Sequence, residues 1–241
     1  MIPVRTPYNW NAITSFLAKR AIRGVESFDG DTYTRGLIQV RFTKNALITN
    51  GEEARVRRLF DADTHPRTIA AHLSRDRTLA PLVAKHRGIR VPGTWDPFEL
   101  TVRAIVGQQI SVAGATTILS RIAEKHGGIL ADRIADSTIE GMPRRRADNI
   151  VAIARMVARG EASLERRASL DETISALRAL PGIGPWTAHY IAMRLGEPDA
   201  FPAGDLWLRR AAGNVSEREL EKIAERWRPW RAYAALLLWT V

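Results

Sequence analysis

The sequence predicts a mainly helical protein with a small α+β domain at its N-terminus. Apolar residues recur at helical spacing through most of the chain, whereas an alternation of period two is confined to the N-terminal region. The length of 241 residues is enough to bury a core in one large domain or two small ones. We therefore expect an N-terminal α+β domain over residues 1–62 and a helical domain over residues 63–241.

The N-terminal region begins with a predicted helix and continues with strands. Asn9 can cap the helix through its side chain. The apolar face of this helix is expected to consist of Trp10, Ile13, Phe16, Leu17 and Ala21. Apolar and polar residues then alternate over residues 38–43, which is typical of a half-buried strand. Residues 44–45 can turn the chain into a second strand over residues 46–49, which Asn50–Gly51 ends.

Glycine and proline divide the rest of the chain into helices joined by short connections. Asp63, Thr64 and Pro66 can open one helix, and Pro97 opens another after the break at 91–93. The buried faces of successive helices are expected to include Ile69 and Leu73; Phe98, Val102, Ile105 and Val106; Ala113, Ile118, Leu119 and Ile122; Ile150, Ile153 and Met156; Ile174, Leu177 and Leu180; and Tyr190, Ile191 and Leu195. The apolar tail 232–239 is too short for a membrane span and is interpreted as a buried helix.

The composition narrows the classes of function. The formal charge is +10, which favours a polyanionic partner, either nucleic acid or an anionic membrane. Cysteine is absent, which excludes disulfides, thiolate nucleophiles, iron–sulfur clusters and zinc fingers. No metal-ligand spacing occurs among His65, His72, His86, His126 and His189. The start of the chain lacks the apolar segment of a signal peptide, so we expect a cytoplasmic protein.

The segment with the strongest functional signal is 180–188, Leu-Pro-Gly-Ile-Gly-Pro-Trp-Thr-Ala. Gly182 and Gly184 allow a tight turn with positive φ and a close approach of another backbone. Pro185 suits the first turn of the following helix, whose unpaired N–H groups can bind phosphate. The alternative interpretation is an ordinary connector between two helices, since such glycines are common in loops. The full motif in a basic protein favours a phosphate-binding hairpin.

Downstream of this hairpin, Asp205 lies just before a predicted helix over residues 206–212. An aspartate in this position is usually an N-cap. That role is compatible with catalysis, because a helix N-terminus stabilises the carboxylate as an anion. Such an anion is what a reaction requires when positive charge develops on a sugar in its transition state.

The segments 180–188 and 202–205 together resemble the helix–hairpin–helix, Gly/Pro–Asp superfamily (HhH-GPD) of DNA base-excision glycosylases. Within it the chain is similar to the bacterial 3-methyladenine DNA glycosylase II family. Other segments of the chain are also similar to this family and occur in the family's order, at 7–10, 16–18, 102–108, 141–147 and 224–231. The resemblance implies an N-terminal domain similar to half of a TATA-binding-protein fold, and two helical lobes that enclose an active-site cleft.

The resemblance also implies roles for individual residues. Asp205 matches the essential aspartate of the family. Gly182, Gly184 and Thr187 match the hairpin that grips phosphate, and Gln108 matches the head of the loop that fills the space left by the flipped base. The aromatic pocket for that base is matched by Phe16, Trp186, Tyr190 and Trp239. For these four aromatics, packing in the core is the alternative interpretation.

Two positions depart from the family pattern. The apolar wedge after Gln108 is replaced by Gln109, so the duplex is plugged either by a polar residue or by Ile110. The bifunctional members place a lysine two residues after the second glycine, where this chain has Trp186. Without that Schiff-base nucleophile we expect hydrolysis without strand cleavage.

We therefore expect a monofunctional DNA glycosylase that removes alkylated purines of the 3-methyladenine and 7-methylguanine type. It is expected to act as a monomer on double-stranded damaged DNA, at the bacterial nucleoid and not on a membrane. No metal or redox cofactor is expected, although the resemblance implies that carbonyls near Leu180 and Ile183 can hold a structural Na⁺ or K⁺ ion. The alternatives are a glycosylase for oxidised or deaminated bases and a non-catalytic DNA-binding module.

Overall fold

A computed structural model describes residues 1–241 and divides them between a β-sheet unit and a helical body. Five strands form one antiparallel sheet in the order β1-β5-β4-β3-β2. The strands are β1 (Ile2–Pro3), β2 (Glu26–Asp29), β3 (Thr32–Arg35), β4 (Ile38–Thr43) and β5 (Ala46–Thr49). The helices are α1 (Trp10–Ala18), α2 (Glu53–Leu59), α3 (Pro66–Leu73), α4 (Ala80–Lys85), α5 (Pro97–Val106), α6 (Val112–His126), α7 (Ala131–Ile134), α8 (Arg144–Ala158), α9 (Leu170–Arg178), α10 (Pro185–Arg194), α11 (Leu206–Ala211), α12 (Glu217–Ala224) and α13 (Arg231–Leu238), with a 3₁₀ turn over Glu225–Trp227.

Helix α1 begins as predicted and ends earlier than expected. The side chain of Asn9 accepts a hydrogen bond from the Ala12 N–H at 3.0 Å, so the predicted cap is confirmed. The helix stops at Ala18, so the expectation that Ala21 continues its apolar face is wrong. The N–H groups of Arg20 and Ala21 bond three residues back, which is the tight spacing of a terminating turn.

The predicted strands are β4 and β5, and Lys44 turns the chain between them with a φ of +50°. Strands β1, β2 and β3 were not predicted. Half-buried and exposed residues alternate along β2, but Phe28 is the only apolar one of the four, and β1 has only two residues. The turn residue Gly30, with a φ of +53°, was the available local signal for the β2–β3 hairpin.

The helices predicted from apolar spacing are present at α3, α5, α6, α8, α9 and α10. The expectation that Ala113 lies on the buried face of α6 is wrong, because it is exposed in the first turn of that helix. Pro66 opens α3, but neither Asp63 nor Thr64 caps it; the N-cap position is held by His65 without a side-chain bond. The tail forms α13, whose residues are all buried, which confirms the prediction of an internal helix. None of the helices has the length and apolar character that a bilayer span requires.

Buried apolar side chains form two cores. The smaller core has 13 residues, all between Ile2 and Ala62 except Trp95. The larger core has 47 residues, all between Ile69 and Leu238 except Ile22. The division between the cores falls near the expected domain boundary. Because Trp95 and Ile22 each pack with the opposite unit, a boundary at residue 62 stays a prediction.

A buried ion-pair network joins the sheet to α5. Glu99 of α5 is 3% exposed and contacts Arg35 of β3 at 2.5 Å and Arg103 at 2.8 Å. Glu26 of β2 also pairs with both arginines, at 3.4 Å and 2.6 Å. Burial alone would raise the pKa of Glu99, but the two guanidinium groups outweigh it and lower the pKa. The network fixes α5, which packs against both α8 and α10.

Candidate active site

Asp205 is the N-cap of α11, as its position in the sequence predicted. Its Oδ1 atom accepts hydrogen bonds from the N–H groups of Trp207 and Leu208 at 2.9 and 3.0 Å. Two indoles add further bonds, from Trp239 Nε1 to Oδ1 at 3.1 Å and from Trp186 Nε1 to Oδ2 at 3.0 Å. Four donors therefore hold a half-buried carboxylate in one orientation.

Three of the four aromatics expected in the pocket lie together beside this carboxylate. Trp186 and Tyr190 are one turn apart on α10 and stack with their ring centres 5.3 Å apart at an angle of 5°. Trp239 follows α13 and lies 6.4 Å from Tyr190 at an angle of 60°. All three are only partly buried, so their rings are not sealed in the core. Their role as a base pocket stays a prediction.

Phe16, the fourth aromatic, contacts two arginines that were not among the predicted site residues. The guanidinium of Arg20 is 3.7 Å from the Phe16 ring centre, and that of Arg194 is 5.0 Å away. Arg194 is 5% exposed and has no carboxylate partner. It donates instead to the carbonyls of Pro92 and Gly93 and to the Tyr190 hydroxyl at 3.0 Å. No motif or spacing marks either arginine in the sequence.

Arg194 affects the acidity of the Tyr190 hydroxyl. Burial by itself would raise the pKa of the Tyr190 hydroxyl. The guanidinium of Arg194, with smaller contributions from Arg20 and Arg103, outweighs burial and lowers the pKa. Arg20 and Arg194 also lie over the aromatic rings, so the Phe16 and Tyr190 side of the site is electropositive.

The hairpin loop, residues 179–184 between α9 and α10, uses its two glycines differently. Gly182 has a φ of +77°, and a Cβ there would clash with the Asn149 side-chain nitrogen. Gly184 has an ordinary φ of −82° and is the N-cap of α10, so the expectation of positive φ at this second glycine is wrong. A Cβ at Gly184 would meet nothing within 4 Å.

The start of α10 has the free donors that an anion site requires. The N–H groups of Gly182, Gly184, Trp186 and Thr187 donate no hydrogen bond within the protein. Pro185 has no N–H and occupies the first helical position as predicted. Free N–H groups and the positive end of the helix dipole together favour phosphate.

Of the residues expected to contact DNA near the loop after α5, some are engaged inside the protein and others are exposed. The Gln108 amide nitrogen donates to the Gly182 carbonyl and to the Thr187 hydroxyl, both at 3.1 Å, so Gln108 braces the hairpin loop. The Thr187 side chain is buried, which leaves only its N–H available. Gln109 is exposed with a φ of +61°, and Ile110 beside it is 39% exposed. Which of these two plugs the duplex stays open.

Two loop carbonyls retain acceptor capacity for a cation. The Ile183 carbonyl accepts no hydrogen bond, and the Leu180 carbonyl accepts only a long one of 3.3 Å from the Ile183 N–H. No group of three or more His, Asp or Glu side chains forms a metal site elsewhere in the chain.

Two family models match the chain. One, described as the AlkA N-terminal domain, matches residues 1–53 and 38–96. The other, described as an HhH-GPD superfamily base excision DNA repair protein, matches residues 102–230, which include the hairpin loop and Asp205.

Individual relatives agree with these matches. DNA-3-methyladenine glycosylase 2 of Escherichia coli is 31% identical over 97% of this chain and 94% of its own length. The probable bifunctional transcriptional activator/DNA repair enzyme AlkA of Mycobacterium tuberculosis is 34% identical over 99% of this chain, which spans 56% of that relative. A solved 3-methyladenine DNA-glycosylase from Archaeoglobus fulgidus has the same fold, with a TM-score of 0.81 at 20% identity over 98% of this chain and 96% of that one.

Proposed function

From the premise that the chain belongs to the HhH-GPD superfamily of base excision DNA repair proteins, we propose that it is a DNA glycosylase. The enzyme hydrolyses the N-glycosidic bond of alkylated purines in damaged DNA. The observation that carries this proposal is the Asp205 carboxylate, held by four donors beside Trp186 and Trp239. A fixed anion next to partly exposed aromatic faces suits a sugar cation and a flipped base.

The proposed mechanism begins with extrusion of the damaged nucleotide from the duplex. Flipping costs a few kcal/mol, and contacts with the extruded base offset it. The sugar then lies over Asp205, whose negative charge stabilises the oxocarbenium-like transition state. Oδ1 already accepts three bonds, whereas Oδ2 accepts only the one from Trp186, so Oδ2 is the oxygen that can orient the attacking water.

The proposal that alkylated purines are the substrates rests on the positive charge of the damaged base. An N3- or N7-alkylated purine carries a positive charge and leaves without a strong proton donor. Aromatic faces attract a cation by roughly 0.5 to 2 kcal/mol. Arg194 and Arg20 oppose this attraction at Phe16 and Tyr190. The cationic base is therefore held by the indoles of Trp186 and Trp239 and by the charge of Asp205.

Binding of double-stranded damaged DNA is proposed to start at the hairpin loop. The free N–H groups before and in the first turn of α10 would grip one phosphate, and the charge of +10 supplies further, sequence-independent attraction. Such contacts fix the position of the duplex without reading its bases. The protein is proposed to act as a monomer.

A Gly184→Ala variant is expected to weaken binding to every duplex sequence by about tenfold or more, because hydrogen bonds to a charged group contribute roughly 1.5–3 kcal/mol each. The added methyl group would meet nothing inside the protein and would lie where phosphate approaches. Its unfolding temperature should equal that of the wild type. Binding is measured by fluorescence anisotropy on two unrelated duplexes.

Gly182→Ala is the control that shows what damage to the hairpin loop itself does. It places a side chain at a φ of +77° and against the Asn149 side chain, so it should lower the unfolding temperature. If Gly184→Ala bound both duplexes like the wild type, the hairpin loop would be a connector only.

The enzyme is further proposed to have no lyase activity. Trp186 occupies the position where bifunctional members have a lysine, and its indole is engaged by Asp205. No amine at this position can form a Schiff base with the sugar.

The experiment that tests the function is release of free base from duplexes that carry 7-methylguanine, hypoxanthine or 8-oxoguanine. We expect the methylated base to leave fastest, with an intact abasic strand and no covalent adduct after borohydride treatment. Faster release of a neutral base would overturn the substrate class but not the glycosylase assignment. A trapped adduct would overturn the monofunctional assignment, and no release at all would favour the DNA-binding module.

A structural monovalent cation is also compatible with the hairpin loop. The free carbonyl of Ile183 and the weakly engaged carbonyl of Leu180 fit Na⁺ or K⁺, and we propose these two as its protein ligands. The ion would hold the loop in shape beside the phosphate. The reaction itself needs no cofactor.

A further inference from the structure

Trp207 has an exposure that neither the fold nor the proposed chemistry explains. Its side chain is 67% exposed, and the other six tryptophans are buried or partly buried. It is in the first turn of α11, two residues after Asp205. Leu206 beside it is 51% exposed, so two large apolar side chains face solvent next to the candidate catalytic carboxylate. Single exposed apolar residues are common, but this pair has a specific position.

The position of Trp207 ties it to the path of the substrate. Its backbone N–H donates a hydrogen bond to Asp205 Oδ1 at 2.9 Å, so the residue that carries the indole is in direct contact with the candidate catalytic carboxylate. Because Asp205 is the N-cap of α11, a DNA strand whose sugar lies over Asp205 would pass close to the first turn of this helix. The exposed indole would then be covered by the strand that carries the flipped nucleotide.

The surroundings of the ring indicate what it can contact. The Arg210 guanidinium lies 5.3 Å from the ring centre, and no aromatic side chain stacks on the indole. Arg209 and Arg210 make α11 basic at its end. The guanidinium lies over the ring of an indole that is still 67% exposed, so the ring can stack on a base while the cation attracts a phosphate, which matches a nucleotide.

We propose that Trp207 stacks on the nucleotide adjacent to the flipped one, on the lesion-bearing strand, with Arg210 directed to its phosphate. The contact rests on the proposed function, since it names a further part of the same DNA site. It would help to hold the strand open while the damaged nucleotide is outside the duplex. Trp207 touches no reacting atom, so it acts on binding and not on the chemical step.

The first test is binding of Trp207→Ala to a duplex with a tetrahydrofuran abasic analogue at one position. Stacking on an aromatic side chain contributes roughly 1–3 kcal/mol per base, so we expect Kd to rise about 5- to 150-fold. Trp207→Phe keeps an aromatic face and should stay within about threefold of the wild type. Leu37→Ala, which removes another apolar side chain that is 93% exposed, should leave Kd unchanged.

The second test identifies the stacking partner. Duplexes are prepared in which the nucleotide on the 5′ or the 3′ side of the analogue also lacks its base. If Trp207 stacks on one of these bases, removing that base should weaken the wild type and should add no further loss to Trp207→Ala. Fully additive losses on both sides would overturn the stacking contact, as would a Trp207→Ala variant that binds the analogue as tightly as the wild type.

These outcomes separate this inference from the proposed function. The wild type can release methylated bases while Trp207→Ala retains normal affinity, in which case only the stacking contact is wrong. A wild type that releases no base can still show the Trp207 effect on the analogue duplex. The unfolding temperature of each variant is measured first, and an exposed side chain predicts no change.

Discussion

Asp205→Asn is expected to reduce the rate of base release by roughly 10²- to 10³-fold or more, the cost of removing one preorganised charge from a transition state. Its fold and its affinity for undamaged duplex should be retained. The asparagine oxygen can still accept the N–H groups of Trp207 and Leu208, so the cap of α11 persists. The measurement is single-turnover release of 7-methylguanine, with the unfolding temperature determined in parallel.

The geometry of the carboxylate calls for one control. In the asparagine variant an amide N–H₂ would face the Trp186 indole N–H, so the indole loses its acceptor as well. Trp186→Phe removes this bond and leaves the charge of Asp205 in place. If the charge is what matters, Trp186→Phe should lose far less rate than Asp205→Asn. An asparagine variant that releases base within a factor of a few of the wild-type rate would rule out Asp205 as the catalytic anion.

Glu99→Gln is expected to lower the free energy of unfolding by about 3–5 kcal/mol, the usual loss when one partner of a buried ion pair is removed. The change leaves Arg35 and Arg103 buried with Glu26 as their remaining carboxylate. Because Glu99 joins α5 to the sheet, we also expect the contact between the two units to loosen. Urea unfolding at neutral pH measures the effect.

Glu53→Gln supplies the matched control, since Glu53 pairs with Arg57 on the exposed face of α2 and should change stability by less than about 1 kcal/mol. The pH dependence gives an independent check. The folded-state pKa of Glu99 is lowered, so its stabilisation is present above the unfolded pKa and is lost as the pH falls through the folded value. The gap between wild type and Glu99→Gln should therefore narrow in acid. A gap that is small at neutral pH would contradict the proposed role of the network.

Features that depend on neighbours in the chain were predicted correctly from the sequence. The cap at Asn9, the cap at Asp205 and the proline at the start of α10 follow from local backbone hydrogen bonding. The helices α5, α6 and α8 follow from a regular apolar spacing. The strands β2 and β3 were missed, because their short segments carry polar residues where an apolar alternation would be expected.

The sequence by itself therefore determined the fold class, the hairpin loop and the aspartate beside it, because spacing, capping and the backbone limits of glycine and proline act within a few residues. Only the tertiary structure decided that Trp186 and Trp239, 19 and 34 residues from Asp205, donate to the same carboxylate. It also decided that Arg194 contacts Tyr190 without an acidic partner and that Trp207 stays exposed. An apolar pattern shows which face of a helix is buried, but not which helix packs against it, and these polar contacts depend on that packing.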